Sequence, residues 1–189
     1  MNHNYQALDG WFNMEREYSY LLENTPEGGT FVELGSWKGK STSYIVTELI
    51  NNDRDVKFFT VDTFEGVLDG TDDTENAAYT SYNLTEIYDI FQENTKHLKD
   101  HFTVIKSKSH EAASHFDDES VDVIFIDAGH SYEAVKADLE AWYPKMKPDS
   151  IMSGHDFNLW PGVNKAVKEF FKDGVDNVIN QCWFKKISK

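Results

Sequence analysis

The amino-acid sequence predicts an α/β fold in which helices cover both faces of a doubly wound, mostly parallel sheet of seven strands. Short apolar runs rich in β-branched and aromatic residues alternate along the 189 residues with segments of helical period. Glycine-containing turns join strands to helices, and acids or histidines follow several of the strands. This alternation is typical of βαβ units, which form a parallel sheet covered by helices.

The first third of the chain opens with a helix over 11–23, where apolar residues recur at helical spacing until the turn-rich stretch 24–29. The next predicted elements are a strand over 31–34, a glycine turn over 35–39, a helix from Ser41 and a strand over 56–61 that ends at Asp62. Residues 1–29 are interpreted as a helical extension of a single domain that spans residues 1–189.

The rest of the chain continues the alternation. The predicted elements are a long loop over 66–84, a helix over 85–98, a strand over 102–105, a helix from about 107, a strand over 121–127, a helix capped by Ser131 and closed by Pro144 and Pro148, a strand over 150–154, a helix from Pro161 to about 172, and two short strands over 175–187. The loop over 66–84 is acidic and unusually long, which indicates a lid or acceptor-binding loop.

The glycine turn is compatible with three kinds of ligand-binding loop. The dinucleotide fingerprint needs a glycine where Trp37 stands, which argues against a nicotinamide cofactor. The phosphate loop matches Gly39-Lys40-Ser41, but Leu34 occupies the place of its first glycine. An S-adenosylmethionine (SAM) loop has an acid and then G-x-x-x-G, as found from Glu33 to Gly39. That acid suits the positive groups of SAM, whereas it would repel a triphosphate.

Six acids and histidines are predicted to lie at the carboxyl ends of strands. They are Glu33, Asp62, Asp127, His130, His155 and Asp156. In a parallel sheet these strand ends meet at one edge, so the side chains converge on the crevice where ligands bind. Asp62 ends the second strand, which is the usual place of an acid that binds ribose hydroxyls; capping of a turn is the structural alternative.

The composition argues against several classes of binding partner and metal site. Thirty-three acids against 18 bases give a net charge of −15, which argues against a nucleic-acid partner or an anionic membrane. Cys182 is the one cysteine, so neither an intrachain disulfide nor a cysteine-based zinc site is expected. The sequence has no apolar run of membrane-spanning length and no signal-peptide core near its start, so a cytoplasmic location is expected. A homo-oligomer is left open.

Four motifs together resemble the class I SAM-dependent methyltransferases. They are Val32-Glu-Leu-Gly-Ser-Trp-Lys-Gly-Lys-Ser41, Phe59-Thr-Val-Asp62, Phe125-Ile-Asp-Ala-Gly-His-Ser-Tyr132 and Ser153-Gly-His-Asp-Phe157. The sequence is similar to small-molecule O-methyltransferases related to the macrolide and aminocoumarin sugar methyltransferases, and more distantly to catechol O-methyltransferase. The resemblance covers roughly residues 30–157 and implies a Rossmann-like fold with SAM as cofactor.

The resemblance implies a set of cofactor contacts. Gly35 and Ser41 would hold the methionine part of SAM, and Asp62 would hold the ribose. Ser107, Lys108 and Ser109 would line the adenine, although family members often carry a glycine and an acid at the first two of these positions. The remaining expected cofactor-binding residues are Glu33, Ser36, Trp37, Gly39 and Asp127.

The resemblance also implies a divalent cation and a general base. The metal-binding positions of the family match Asp127, His155 and Asp156, with Mg²⁺ or Mn²⁺ as the ion. His155 stands where an acid is usual, and imidazole suits Mn²⁺ better than Mg²⁺, which favours oxygen ligands. His130 matches the family's base and, with Asp127, forms the expected catalytic pair. The structural alternative for His155 is a helix-capping or packing role, and for His130 it is a hydrogen bond to the backbone around Gly129.

The expected function is transfer of a methyl group from SAM to a hydroxyl of a small molecule, with a sugar among the candidate acceptors. Two alternatives remain open at this point. One is a phosphate-loop nucleotide enzyme, which Gly39-Lys40-Ser41 and the strand before Asp127 would also fit. The other is a SAM-binding module without catalytic activity.

Overall fold

The computed structural model describes residues 1–66 and 83–189. The strands are β1 (Gly29–Leu34), β2 (Val56–Asp62), β3 (Thr103–Lys106), β4 (Val121–Ile126), β5 (Met146–Gly154), β6 (Asn177–Ile179) and β7 (Cys182–Lys186). The α-helices are α1 (Glu15–Glu23), α2 (Lys40–Asn51), α3 (Ile87–Thr95), α4 (Ser109–Ala112), α5 (Tyr132–Trp142) and α6 (Pro161–Phe170). Single 3₁₀ turns are formed by Tyr5–Ala7, Leu84–Glu86, Lys96–Leu98, Ala113–His115 and Tyr143–Lys145.

The seven strands form one sheet in the order β3-β2-β1-β4-β5-β7-β6. Strands β1 to β5 are parallel, whereas β7 runs antiparallel to β5 and pairs with β6 as a hairpin. The chain adds strands outward from β1 in one direction and then outward from β4 in the other. The predicted doubly wound, mostly parallel sheet is therefore confirmed, with its switch point between β1 and β4.

The two central strands are buried on both faces because helices cover the sheet from both sides. Phe31 of β1 and Phe125 of β4 face the helices α1 and α2, while Val32 and Ile124 face α5 and α6. Every residue of β4 is buried. This arrangement explains why the apolar run over 121–126 is nearly continuous and does not alternate with polar residues.

Two predicted boundaries were wrong. Helix α1 begins at Glu15 rather than at residue 11, and Trp11, one of the apolar residues of the expected helix, is 56% exposed. Strand β5 begins at Met146, so Pro148 lies inside the strand rather than after the preceding helix. The pairing of β4 with β5 shifts register between Val121 and Val123, and this bulge accommodates a proline that has no N–H to donate.

Two helix starts are as predicted. The Ser131 hydroxyl accepts a hydrogen bond from the N–H of Ala134 at 3.0 Å and caps α5, and Pro161 occupies the first turn of α6. Most of the predicted loop over 66–84 falls outside the described residues. Within the described ranges, no helix combines the length and apolar character needed to cross a bilayer.

Candidate functional site

The loops that follow β1 and β4 touch at the switch point of the sheet. The N–H of Asp127 donates to the Leu34 carbonyl at 2.8 Å, and Gly35 adopts a left-handed conformation with φ at 90°. A Cβ atom on Gly35 would lie 1.9 Å from the carbonyl oxygen of Asp127, so any other residue would force the two loops apart. Gly35 thus allows the glycine loop and the Asp127 turn to share one crevice.

Asp62 supports the glycine loop from the end of β2. One carboxylate oxygen accepts hydrogen bonds from the N–H groups of Ser36 and Trp37 at 2.9 and 2.7 Å, and the other accepts from Phe64 at 2.7 Å. Burial raises the pKa of Asp62, and these backbone hydrogen bonds oppose that effect. The loop conformation, in which Trp37 has a positive φ of 49°, therefore depends on this carboxylate.

Glu33 lies beneath the glycine loop and has no exposed surface. Its carboxylate accepts hydrogen bonds from Tyr18 at 2.9 Å, Thr42 at 2.6 Å and Thr60 at 2.7 Å, which belong to α1, α2 and β2. The sequence-based expectation placed this acid beside a bound ligand. In the structure Glu33 instead joins three elements that carry the loop, because its side chain points into the interior of the sheet.

Residues 107–109 follow β3 and lie beside Asp62, as expected for neighbouring strand ends. The N–H of Ser107 donates to the Asp62 carbonyl at 3.1 Å, and the Trp142 indole donates to the Ser109 carbonyl at 2.9 Å. Lys108 points to the surface, where its amino group is 3.3 Å from Glu111. These contacts hold the turn next to the glycine loop; adenine binding by the turn stays a prediction.

Four titratable side chains converge at the ends of β4 and β5. Nε2 of His130 is 2.9 Å from Oδ2 of Asp156, and Nδ1 of His155 is 3.1 Å from Oδ1 of the same carboxylate. Oδ1 of Asp127 is 3.9 Å from His130 Nε2 and 3.8 Å from His155 Nδ1. The cluster thus consists of two carboxylates and two imidazoles around Asp156.

The opposite charges in this cluster stabilise the ionised forms of Asp156 and His155. Burial by itself raises the pKa of Asp156, but hydrogen bonds and positive charge from His130 and His155 hold it well below its usual range. Burial by itself lowers the pKa of His155, yet the hydrogen bond that His155 donates to Asp156 and the negative charge of Asp127 outweigh it and raise that pKa. Asp156 is therefore an anion at neutral pH, and its charge favours a cation between the strand ends.

The atoms best arranged for a metal ion belong to Asp127, His130 and Asp156. Each offers one ligand atom, and the three atoms lie within 4.8 Å of one another. The set expected from the sequence was Asp127, His155 and Asp156; the structure adds His130 as a candidate ligand and keeps His155 beside the two carboxylates. Two carboxylate oxygens and one imidazole nitrogen fit a divalent transition ion such as Mn²⁺ better than Mg²⁺.

Trp160 contributes to the cluster although no sequence pattern marked it. Its indole is stacked on the His130 imidazole with ring centroids 5.2 Å apart and planes 12° from parallel. The position just before Pro161 and the start of α6 gives no indication of this contact, which depends on how α6 packs against the turn after β4. Sequence reasoning also missed that the N-terminal segment reaches the glycine loop, where Asp9 forms an ion pair with Lys38.

A doubly wound sheet that ends in an antiparallel hairpin, with a glycine loop facing acids at the ends of β2 and β4, defines the class I SAM-dependent methyltransferases. The model of a family described as "Methyltransferase domain" matches residues 32–157, which is more than half of the chain. The protein belongs to this methyltransferase family. Membership decides between the three interpretations of the glycine loop in favour of SAM.

The individual proteins that resemble this chain share at most 30% identity with it among those compared below. An uncharacterized protein, y4gI, of Sinorhizobium fredii (strain NBRC 101917 / NGR234) is 30% identical over 137 residues, which cover 68% of this chain; the matched region spans only 14% of that relative's length. The solved O-methyltransferase NovP is 17% identical with a TM-score of 0.75, covering 93% of this chain and 80% of NovP. CalS11, a TDP-rhamnose 3'-O-methyltransferase, is 17% identical with a TM-score of 0.59, covering 93% and 77%. At these identities the solved structures support the fold alone.

Proposed function

We propose that this protein transfers a methyl group from SAM to a hydroxyl of a small molecule, with a divalent cation bound by Asp127, His130 and Asp156. The observation that carries the proposal is the contact between Gly35 and Asp127, which puts the cofactor loop and the Asp/His cluster in one crevice. SAM supplies an electrophilic methyl group, and a neutral hydroxyl is a poor nucleophile. The cluster is the natural place to activate that hydroxyl.

On the cofactor side the chain offers groups that match the parts of SAM. The first turn of α2, which begins at Lys40 and Ser41, would present backbone N–H groups to the methionine carboxylate. Asp62 accepts backbone hydrogen bonds that fix it beside the glycine loop, and at this strand end its carboxylate would accept a hydrogen bond from a ribose hydroxyl. Ser107, Lys108 and Ser109 are kept as the proposed adenine-side residues.

On the acceptor side His130 has two candidate roles, and both use Nε2. Its Nδ1 atom is buried, so Nε2 is the ring nitrogen that faces Asp127 and Asp156. As a ligand, Nε2 would share a cation with the two carboxylates; a bound cation lowers the pKa of a hydroxyl and fixes its position. As a base, Nε2 would accept the hydroxyl proton while Asp156 stabilises the imidazolium.

The acceptor is proposed to be a small molecule rather than a nucleic acid. The net charge of −15 disfavours binding of the polyanionic backbone of a nucleic acid and supports this choice. NovP and CalS11 are O-methyltransferases by name, and CalS11 acts on TDP-rhamnose, so a sugar hydroxyl is a reasonable first acceptor to test. A homo-oligomer stays an untested prediction.

Calorimetric titration with SAM and with Mg-ATP tests the cofactor. We expect SAM to bind and Mg-ATP not to bind; the opposite result would overturn the proposal. Conversion of labelled SAM to S-adenosylhomocysteine with a panel of hydroxylated acceptors, including nucleotide sugars, then tests catalysis. A protein that binds SAM but never turns it over with any acceptor would support the non-catalytic binding module instead.

Chelation and two variants separate the roles in the cluster. We expect excess chelator and Asp156→Asn each to reduce turnover strongly while SAM still binds; full activity in chelator would refute the cation. If His130 is the base, His130→Ala should have a lower turnover rate at all pH values. The remaining activity should no longer fall on the acid side of the pH–rate profile, since that fall reports protonation of the base. If His130 is a ligand, the variant should instead regain part of its activity at high Mn²⁺ concentration.

A further inference from the structure

One short segment, residues 156–162, encloses His130 on three sides. Asp156 meets the edge of the imidazole at 2.9 Å, and Trp160 covers its face in a near-parallel stack. Gly162 lies against the backbone, since a Cβ atom there would be 2.4 Å from the His130 carbonyl oxygen. The turn between β5 and α6 thus contacts the His130 imidazole at its edge and on its face, and lies against the His130 backbone.

Hydrogen bonds within this turn hold its residues in a fixed arrangement. The N–H groups of Leu159 and Trp160 both donate to the Asp156 carbonyl at 3.0 Å. The Asn164 side chain donates to the Phe157 carbonyl at 2.9 Å, and its backbone N–H donates to the Trp160 carbonyl at 3.1 Å. These bonds hold the backbone of Trp160, from which the indole extends, in a fixed place relative to the backbone of Asp156.

We propose that Trp160 is a positioning residue that holds the His130 imidazole in the plane that aims Nε2 at Asp127 and Asp156. The hydrogen bond to Asp156 restrains Nε2 but allows the ring to turn about that bond, whereas a stacked indole fixes the plane. When Nε2 binds a cation, it has no proton to donate and gives up the hydrogen bond to Asp156, and the stack then remains. The inference rests on the proposed function of His130, and it applies to both of its candidate roles.

The size of the effect follows from the nature of the contact. Stacked aromatic pairs contribute an increment that corresponds to about three- to tenfold in an equilibrium constant. Phenylalanine keeps an aromatic face at this position, whereas leucine fills part of the space without one. Leu159 is the matched control because it belongs to the same turn and its side chain is 59% exposed.

The experiment measures Mn²⁺ binding to the full chain by the electron paramagnetic resonance signal of free Mn²⁺, without SAM. Asp156→Asn defines the binding that does not come from the cluster. We expect Trp160→Leu to weaken cluster binding about three- to tenfold, and Trp160→Phe and Leu159→Ala to stay within about twofold of wild type. SAM affinity should be unchanged in all three variants, which shows that the fold and the cofactor loop are intact.

Two results would overturn the proposal: wild-type Mn²⁺ affinity in Trp160→Leu, or an equal loss in Trp160→Phe, which would show that bulk rather than stacking matters. If the wild type binds no Mn²⁺ at the cluster, the cation part of the proposed function fails. The decision on Trp160 then comes from nuclear magnetic resonance of the His130 ring. In that case Trp160→Leu should shift the ring signals and broaden them as the ring gains mobility, and unchanged ring signals would refute the positioning role.

Discussion

Asp138 provides a direct test of how burial controls charge in this fold. It lies on the inner face of α5 and is completely buried, and no group in residues 1–66 and 83–189 donates a well-formed hydrogen bond to either carboxylate oxygen. Burial raises its pKa from 3.8 to about 7, and the nearby Ser109 hydroxyl opposes this effect only weakly. The folded protein therefore holds a proton on Asp138 under conditions where the unfolded chain releases it.

The pH dependence of stability follows from the difference between the pKa values of Asp138 in the folded and unfolded states. An acid whose pKa is higher in the folded state stabilises the fold fully below its unfolded pKa, and this stability is lost as the pH rises toward the folded value. For Asp138 that window runs from 3.8 to about 7. Between about pH 5.5 and pH 8.5 the wild type should lose about 2 kcal/mol, since each pH unit below the folded pKa corresponds to about 1.4 kcal/mol.

The assay is thermal unfolding of wild type and Asp138→Asn across this pH range, which stays above the isoelectric point of 4.7. Asparagine cannot ionise, so the melting temperature of the variant relative to wild type should rise by about 4–8 °C from the acid to the alkaline end. Asp100→Asn removes an exposed negative charge and serves as the control for net charge. Parallel melting curves for wild type and Asp138→Asn at all pH values would refute the reasoning.

Three further outcomes follow from the contacts around the site. Asp62→Ala should weaken SAM binding by about 1.5–3 kcal/mol, because a charged acceptor for the glycine loop and the ribose is lost; calorimetry showing an unchanged dissociation constant would contradict this role. Glu33→Ala should lower the free energy of unfolding by about 1–3 kcal/mol in urea, because the hydroxyls of Tyr18, Thr42 and Thr60 lose their common acceptor, and Glu33→Gln should lose less. Ser131→Ala should cost about 1 kcal/mol through loss of the α5 cap, and Ser131→Asp should restore it; equal stability of all three proteins would contradict the capping role.

Local sequence patterns were enough to predict most of the architecture. The apolar run over 121–126, the cap at Ser131 and the proline at the start of α6 each depend on a few neighbouring residues. For that reason they can be read along the chain. The same holds for the order of strands and helices, which predicts a doubly wound sheet and places Asp62, Asp127 and Asp156 at strand ends.

The two wrong predictions of element boundaries share one physical cause. The helix expected from Trp11 begins at Glu15, since the residues before it pack against the glycine loop, where Trp11 lies 6.0 Å from Trp37 between ring centroids. Pro148 was interpreted as an end signal, but a bulge in β5 accommodates it. In both cases contacts with distant parts of the chain overrode the local propensity.

The sequence by itself determined which elements form, how they alternate and which ionisable residues stand at the strand ends, because these properties depend on residues close together in the chain. The tertiary structure decided which atoms meet. It placed His130 with Asp127 and Asp156 in one group of possible ligand atoms, turned Glu33 beneath the glycine loop, and stacked Trp160 on His130. Each of these contacts depends on side-chain direction and on how helices pack across the sheet, and no periodicity in the sequence encodes either.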